Sequence, residues 1–503
     1  MAYLGVDIGT TGCKAVVFDE SGRAVSTARR NYALASPQPG LWELDAEAVW
    51  QLTRAAIREA AGAAPGHPVE ALAVSALGEA VVAVDSMGRP LAGAPVSADF
   101  RAGAEAAELE ARLGRERIYE ITGHPAGLIY SLPKMMWWRR QRPDLHAKAW
   151  KYLCFEEYAF ARMGLPPVTD HSLAARTLAF DSTALCWSAE LLEVAGIDAG
   201  KLPDTAPSGT CIGRLGAAAA TDLGLVEGVA VCTGGFDQAC GALGIGVETP
   251  GQAYYGIGTT EALAIVLDRP QPGLAEINMA VCPHAIAGRS LAMGGSQTGS
   301  RLLQWYRDEL AGPEVAAAQA DGTDPFERII ATASPGPSDL LFLPHFTGSG
   351  TYFNDPLSTG TLLGLSFATR RQDIAKAVLE AASFDQALIL KRLDALGIGA
   401  DMLHVVGGGT RARNWLQIKA NIMGCPLRTG PDTEASCLGA AKLAHLGATG
   451  TLPGAAWAVP EGTVATIPPE AAESRAYRAK LELYERLYHA VAPVSHDLQA
   501  SRH

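Results

Sequence analysis

A thirteen-residue stretch near the start of the chain returns 249 positions later. Asp7-Ile8-Gly9-Thr10-Thr11-Gly12-Cys13-Lys14-Ala15-Val16-Val17-Phe18-Asp19 comes back as Gly256-Ile257-Gly258-Thr259-Thr260-Glu261-Ala262-Leu263-Ala264-Ile265-Val266-Leu267-Asp268, with seven of the thirteen pairs identical. In 503 residues that offset is close to half the chain, which points to a duplicated unit with one core per half. Each copy reads as strand, Gly-Thr-Thr turn, strand: Leu4, Val6 and Ile8 alternate before the first turn, and Val16-Val17-Phe18 follow it. Chance sharing of turn residues would explain a lone Gly-Thr-Thr. The matched flanks and the near-midpoint spacing weigh against it.

A Gly-Thr-Thr turn suits phosphate, because glycine lets the backbone approach, neighbouring N–H groups point at the anion and the hydroxyls add donors. Two such turns, one per half, could grip a polyphosphate from both sides of a cleft. Asp7 ends the first strand, where a carboxylate could hold Mg²⁺ directly or through water. The second copy has Gly256 there.

Composition narrows the function classes. A net charge of −12 repels nucleic-acid backbones and anionic membranes. The opening Met1-Ala2-Tyr3-Leu4-Gly5-Val6-Asp7 has no basic n-region, so no signal peptide is expected, and no apolar run reaches membrane-spanning length. Nine cysteines without a C-x-x-C pair read as reduced thiols of a cytoplasmic protein. No H-E-x-x-H occurs, which argues against zinc.

Both halves continue as mixed α/β. Asp45 is positioned to cap a helix over 46–61 with Val49, Leu52, Ala56 and Ile57 inward, and strands follow at 71–75 and 81–84. A helix is expected over 372–396, then a strand over 402–406 running into Gly407-Gly408-Gly409. The Gly-rich 245–252 reads as a hinge, which divides the chain into 1–247 and 248–503; 335–337 and 453–468 read as surface loops.

Val229–Ala239 reads as strand, Gly234-Gly235 turn and helix start, with Asp237 at the helix N-terminus, where the dipole favours the anion. An ordinary capping aspartate is the plain alternative; the two glycines, read as room for a substrate, weigh toward function. Gly407-Gly408-Gly409 could let an adenine or ribose lie on bare backbone, or could be a spare-glycine turn. Glu434 precedes a small-residue run, Ala435 to Ala441, which fits a helix beneath a ligand or a close helix contact. The Gly200-Lys201 pair is followed by Leu202, so no P-loop is present.

In this order Asp7-Ile8-Gly9-Thr10-Thr11, Gly234-Gly235-Phe236-Asp237, Gly258-Thr259-Thr260 and Gly407-Gly408-Gly409 resemble the FGGY carbohydrate kinases of the actin–hexokinase superfamily. Gly360-Thr361-Leu362-Leu363-Gly364-Leu365 with Asp373-Ile374 and Ala377-Val378-Leu379-Glu380 looks like that family's C-terminal signature, and Tyr130 to Trp137 is a looser match to the earlier one. The resemblance implies two duplicated actin-like (ribonuclease-H-like) α/β domains with a cleft between them. It implies ATP and Mg²⁺, a small sugar or polyol as substrate, no nucleic-acid or membrane partner, and compatibility with a homodimer. It implies Asp237 as catalytic base and Asp7 as the acid that organises the metal. Thr10, Thr11, Gly258, Thr259 and Thr260 then hold phosphate, and Gly408, Gly409 and Asn414 the nucleoside. Glu79, Asp99, Arg101 and Gln238 are the substrate-side candidates, with a surface ion pair the plain alternative for Asp99 and Arg101.

Within the family the resemblance is greatest to kinases of D-xylulose, with departures. Where those carry Gln-Met-His-Gly, this chain has Ala76-Leu77-Gly78-Glu79; glycerol kinases have an Arg-Glu pair there, of which Glu79 is kept. Gln238 also resembles glycerol kinases, and Gly348 to Asp355 departs from the common Gly-Glu-Arg-Thr-Pro loop. Kinases of glycerol, ribulose or gluconate are therefore the alternatives, and a non-catalytic actin-like ATPase is the alternative from another class.

Overall fold

The computed structural model describes residues 1–501 except 334–335, 431–433, 455–456 and 458–463. Two sheets carry the fold. The first is built from β1 (Ala2–Ile8), β2 (Gly12–Asp19), β3 (Ala24–Asn31), β4 (Val69–Ala76), β5 (Cys211–Arg214) and β6 (Ala230–Phe236). The second uses β7 (Gln252–Ile257), β8 (Glu261–Leu267), β9 (Ala280–Pro283), β10 (Ser290–Ser296), β11 (Met402–Val406), β12 (Leu427–Thr429) and β13 (Ala465–Ile467).

The duplication seen in thirteen residues extends to the whole sheet. Strand order is β3-β2-β1-β4-β6-β5 in one and β10-β8-β7-β11-β12-β13 in the other, with β9 added at the edge. Pairing directions agree one for one: the first three strands are mutually antiparallel neighbours, the next two steps are parallel, and the last is antiparallel. In each sheet the Gly-Thr-Thr turn closes the hairpin at the centre, β1–β2 and β7–β8.

Helix α1 (Ala46–Gly62) covers the first sheet, and the Asp45 side chain caps it by accepting from Ala48 N–H. Its buried face is Val49, Trp50, Thr53, Ala56, Ile57 and Ala60, so Trp50 and Thr53 take the place expected of the half-buried Leu52. Burying side chains such as Val49 and Ile57 contributes about 1.5–3 kcal/mol each. The later helices are α2 (Asp237–Gly244), α3 (Arg371–Ala395), α4 (Arg413–Met423), α5 (Ala435–Thr449) and α6 (Ala471–Ala500). Helix α3 is buried nearly all round from Ala375 to Leu390, and α6 meets some of its inner polar groups, as where Tyr484 Oη donates to Asp385 Oδ1.

Helix α5 follows β12 in the second half of the chain yet packs into the core of the first sheet with Cys437, Leu438, Ala440, Ala441, Leu443 and Ala444. It is the counterpart of α2, which follows β6, and the two lie against each other. Glycines set the spacing. A Cβ on Gly439 would stand 1.8 Å from the Cys240 carbonyl oxygen, one on Gly244 2.0 Å from that of Ala435, and one on Gly5 1.8 Å from that of Cys437. The small-residue run after Glu434 is explained by this contact.

The 453–468 stretch read as a loop contains β13 in its described part, paired with β12 through Leu427 and Ile467; the three-residue edge was too short to show a period. Pro335, in the other expected loop, lies outside the described residues. The loop 348–355 packs on α6: Phe353 stacks on Tyr488 at 3.7 Å, and Asp355 accepts from His496 at 2.8 Å and from Tyr488 at 3.0 Å.

Gly439→Ala tests the α2–α5 seat. Forcing a methyl against a carbonyl costs about 1–3 kcal/mol, so the melting temperature falls. Gly62→Ala, with nothing within 4 Å of its added carbon, leaves it unchanged or raised.

Candidate active site

Strands β1, β4 and β6 run parallel side by side, so their carboxyl ends open on one edge of the sheet. Each delivers an acid there. Asp7 is near the end of β1, Glu79 follows β4, and Asp237 follows β6 as the first residue of α2.

The Gly234-Gly235 pair does not clear space for a ligand. A Cβ on Gly234 would lie 2.1 Å from the Val74 carbonyl oxygen, and β6 shifts register against β4 between Thr233 and Gly235. A Cβ on Gly235 would lie 2.8 Å from Ser172 Oγ, which accepts from Phe236 N–H. The buried Glu156 carboxylate accepts from Gly234 N–H at 2.6 Å. These contacts fix where the strand ends and hence where Asp237 is aimed.

Asp237 Oδ1 is buried without a hydrogen-bond partner among the described residues. Burial first, then the charges of Asp7 and Glu79, push its pKa up to about 8, while Gln238 N–H and Arg176 pull the other way. The helix start was expected to keep it anionic. A rise from 3.8 to about 8 is of the order of 5 kcal/mol, against about 0.3–1 kcal/mol for a helix N-terminus. Burial and like charge outweigh the helix start, and together they favour the protonated form of Asp237 in the free protein. Burial also raises Asp7, against the pull of Lys14 and of Ser75, whose hydroxyl donates to Asp7 Oδ1 at 3.1 Å.

Two carboxyls raised by burial, one with an orphaned oxygen, suit a divalent cation and a hydroxyl donor. Among the described residues no three His, Cys, Asp or Glu side chains converge on one point. Such a donor set fits Mg²⁺, which keeps waters and takes phosphate oxygens, better than a cation needing an all-protein cage.

Glu79 has φ +63°, and Ala80 N–H donates to Gly78 O at 2.8 Å across it, a tight turn unusual for a residue with a side chain. Its carbonyl is held by Ser131 Oγ at 3.1 Å and Lys134 Nζ at 3.0 Å. Its carboxylate accepts from Arg176 Nε at 2.7 Å and also from Arg176 Nη2. The guanidinium lies over Phe236 at 4.9 Å and Tyr130 at 5.4 Å. Strain of this kind gathers at functional sites. Sequence reasoning missed Arg176 and Lys134. Arg176 did leave a signal: a lone cation in the apolar run Leu173 to Phe180 needs an acid from elsewhere. A Cβ on Gly78 would meet Phe236 at 2.8 Å and Arg176 at 3.2 Å, so the volume of a larger residue there is already filled.

Asp99 and Arg101 are neither on the surface nor free. Asp99 is fully buried, and each of its oxygens accepts two hydrogen bonds, from Arg101 N–H and Nε and from Trp42 N–H and Arg101 Nη2. Arg101 also reaches Glu43 at 2.7 Å and lies over Trp137. Gln238 is half-buried beside Asp237.

Both phosphate-turn candidates are braced by backbone bonds. Gly9 N–H donates to Gly12 O, and Tyr32 holds Thr11 O and Gly9 O. Gly258 N–H donates to Thr260 O, while Gly299 and Ser300 N–H donate to Thr259 O and Gly258 O. Gly258, Thr259 and Thr260 are exposed. Among the described residues nothing hydrogen-bonds the hydroxyls of Thr10, Thr11, Thr259 or Thr260. Gly407 and Gly409 serve close packing on Ile257, whereas Gly408 faces open space. Asn414 is exposed at the start of α4 and lines a cavity of about 220 Å³ with Lys376, Glu473 and Tyr477. Across the halves, Tyr254 of β7 lies near enough to Asp237 and Asp7 for both to raise its pKa beyond the effect of burial, and Lys14 Nζ donates to Glu434 at 2.6 Å.

The sequence matches the models of the N-terminal domain (residues 2–244) and C-terminal domain (residues 253–448) of the FGGY family of carbohydrate kinases. It is 28% identical over 457 residues to a gluconokinase of Bacillus subtilis, covering 89% of this chain and 88% of that one. It is 28% identical over 512 residues to a xylulose kinase of Escherichia coli, covering 98% and 99%. The crystal structure of a xylulose kinase from Rhodospirillum rubrum superposes with a TM-score of 0.89 at 26% identity, over 99% of this chain and 100% of that one.

The raised Asp237 pKa carries a stability signature. An unfolded Asp titrates near ~3.9, so the stabilisation from neutral Asp237 is complete below that pH and is lost as pH rises through about 8. The melting temperature of ligand-free Asp237→Asn, relative to wild type, should climb from pH 5 to 8 and then level off. Parallel pH profiles would mean that Asp237 is not perturbed.

Proposed function

This chain is a member of the FGGY family of carbohydrate kinases, and on that footing we propose that it transfers the γ-phosphoryl group of ATP to a hydroxyl of a small sugar, D-xylulose first among them. Its family uses ATP as phosphate donor. The observation that carries the reading is the orphaned, buried Asp237 oxygen at the strand ends, with only β4 between its strand and the strand of Asp7 and the first Gly-Thr-Thr turn. A hydroxyl donor placed against Oδ1 satisfies it.

In the proposed reaction the sugar oxygen attacks the γ-phosphorus in line, the bond from phosphorus to the β,γ-bridging oxygen breaks, and the hydroxyl proton passes to Asp237. The products are a sugar phosphate and ADP. Mg²⁺, when bound on the Asp7 side, would neutralise phosphate charge. A cation held there would also oppose the Asp7 charge, which adds to burial in raising the Asp237 pKa, and would favour the carboxylate form of Asp237. Thr10 and Thr11 would meet phosphate from one half, and Gly258, Thr259 and Thr260 from the other. We place the sugar on residues 1–247 and the nucleotide on 248–503, with Gly408, Gly409 and Asn414 beside the nucleoside.

On the sugar side we assign Glu79 and Gln238 to the substrate's hydroxyls. Asp99 and Arg101 satisfy each other, and their part is to frame the pocket. One observation favours a second reading. Arg176 supplies to Glu79, from another element, the Arg-Glu pair that the resemblance associates with glycerol kinases, and it fills the space beside Gly78. A small polyol is the substrate under that reading.

Coupled ADP release from wild type and Asp237→Asn over D-xylulose, ribulose, glycerol and gluconate tests both levels. D-xylulose should give the highest kcat/KM, and Asp237→Asn should lose about 10²–10⁴-fold in turnover with nucleotide affinity nearly unchanged. Another substrate ahead by tenfold would overturn the sugar assignment. A variant keeping more than a tenth of the turnover, with chemistry rate-limiting, would reduce Asp237 to a helix residue.

A further inference from the structure

Where the first hairpin has Gly12 after its Thr-Thr pair, the second has Glu261. The Glu261 carboxylate is wholly buried and paired with Lys419 of α4, Nζ to Oε1 at 2.6 Å, and neither side chain is exposed at all. Lys419 also donates to Tyr255 Oη at 3.2 Å and to Ser383 Oγ at 3.3 Å, which uses all three of its N–H groups. The Tyr255 hydroxyl donates to Glu261 Oε2, and the ammonium stands 4.4 Å from the Trp415 ring. Gln386 Nε2 donates to the Glu261 carbonyl at 3.3 Å.

Burying an ion pair is seldom the most stable solution, because apolar side chains of like volume do as well or better. The placement of this pair gives it another use. Glu261 is bonded directly to Thr260, Tyr255 lies just before the turn on β7, Ser383 is on α3, and Lys419 is on α4, which begins just after Gly407-Gly408-Gly409. One ammonium therefore ties four elements together beneath the Gly258-Thr259-Thr260 turn.

We propose that Lys419 is a positioning residue for the nucleotide: through Glu261 it fixes the turn against α4, so that phosphate and nucleoside meet elements already held at their working spacing. The proposal rests on reading this turn as a phosphate site. Pre-set spacing removes an ordering cost from binding, so loss of the pair weakens ATP and leaves the sugar, held in the other half, alone.

The test compares wild type, Lys419→Met and the double variant Lys419→Met with Glu261→Gln. The single variant strands a buried carboxylate and melts lower. The double variant carries no buried charge and recovers melting temperature. Calorimetric titration with Mg·ATP and steady-state kinetics should give a dissociation constant and KM for ATP raised about tenfold in the double variant, about 1.4 kcal/mol, with the sugar KM within twofold of wild type. If the double variant regains its melting temperature and binds ATP like wild type, the pair only packs the core and the proposal is overturned. If ATP and sugar KM rise together, the effect is not on nucleotide positioning and the proposal again falls. Failure of wild type itself to bind ATP would overturn the phosphate-turn reading and this proposal with it.

Discussion

The candidate site stands on α5 being able to lie against β1 and α2 at the distance of bare backbone. Gly5, Gly244 and Gly439 set that distance, and a single methyl at any of them would overlap a carbonyl. The contact is shared between the halves of the sequence. It completes the core of the first sheet with residues from beyond position 434, and Ser436 Oγ, on the same helix, donates to the Asp237 carbonyl at 3.2 Å. The seat that joins the halves thus touches the residue assigned to proton transfer. Above it the chain passes from α2 to β7 through residues 245–251, a seven-residue connection with positive φ at Gly246 and Gly251.

Parallel strands gather their carboxyl ends on one edge, and here that edge holds Asp7, Glu79 and Asp237. In the free protein the relief is uneven: Glu79 has Arg176, Asp7 has a serine hydroxyl and the more distant Lys14, and Asp237 has an oxygen with no partner among the described residues. Such a site favours ligands that bring a cation and a hydroxyl together. The second half solves the matching problem differently. Its hairpin has Gly256 where the first has Asp7, and its buried acid, Glu261, lies after the turn and is neutralised by Lys419. One duplicated frame therefore carries an unsatisfied acid in one half and a satisfied one in the other.

How much of this was legible in the sequence follows from the range of each interaction. The repeat, α1 with its Asp45 cap, α3 and the 402–406 strand rest on local periodicity and capping, and the structure has them within a residue or two. The position of Asp237 at a strand-to-helix junction was legible for the same reason. Its protonation was not, because that depends on burial and on acids 230 and 158 residues away in the chain. The glycines at 234 and 235 were visible, but what fills the space beside them, Val74 and Ser172, is long-range. The roles of Arg176 and Lys419 are hidden for a related reason: a lone cation beside apolar residues announces a buried partner without saying which.

We infer that the two halves, each carrying one Gly-Thr-Thr turn, close on a single nucleotide about the α2–α5 seat and the 245–251 connection. Small-angle scattering with and without a turnover-competent sugar plus a non-hydrolysable ATP analogue tests it most directly. Closure gives a smaller radius of gyration when both ligands are bound. An unchanged radius, with saturation confirmed by calorimetry, would contradict it.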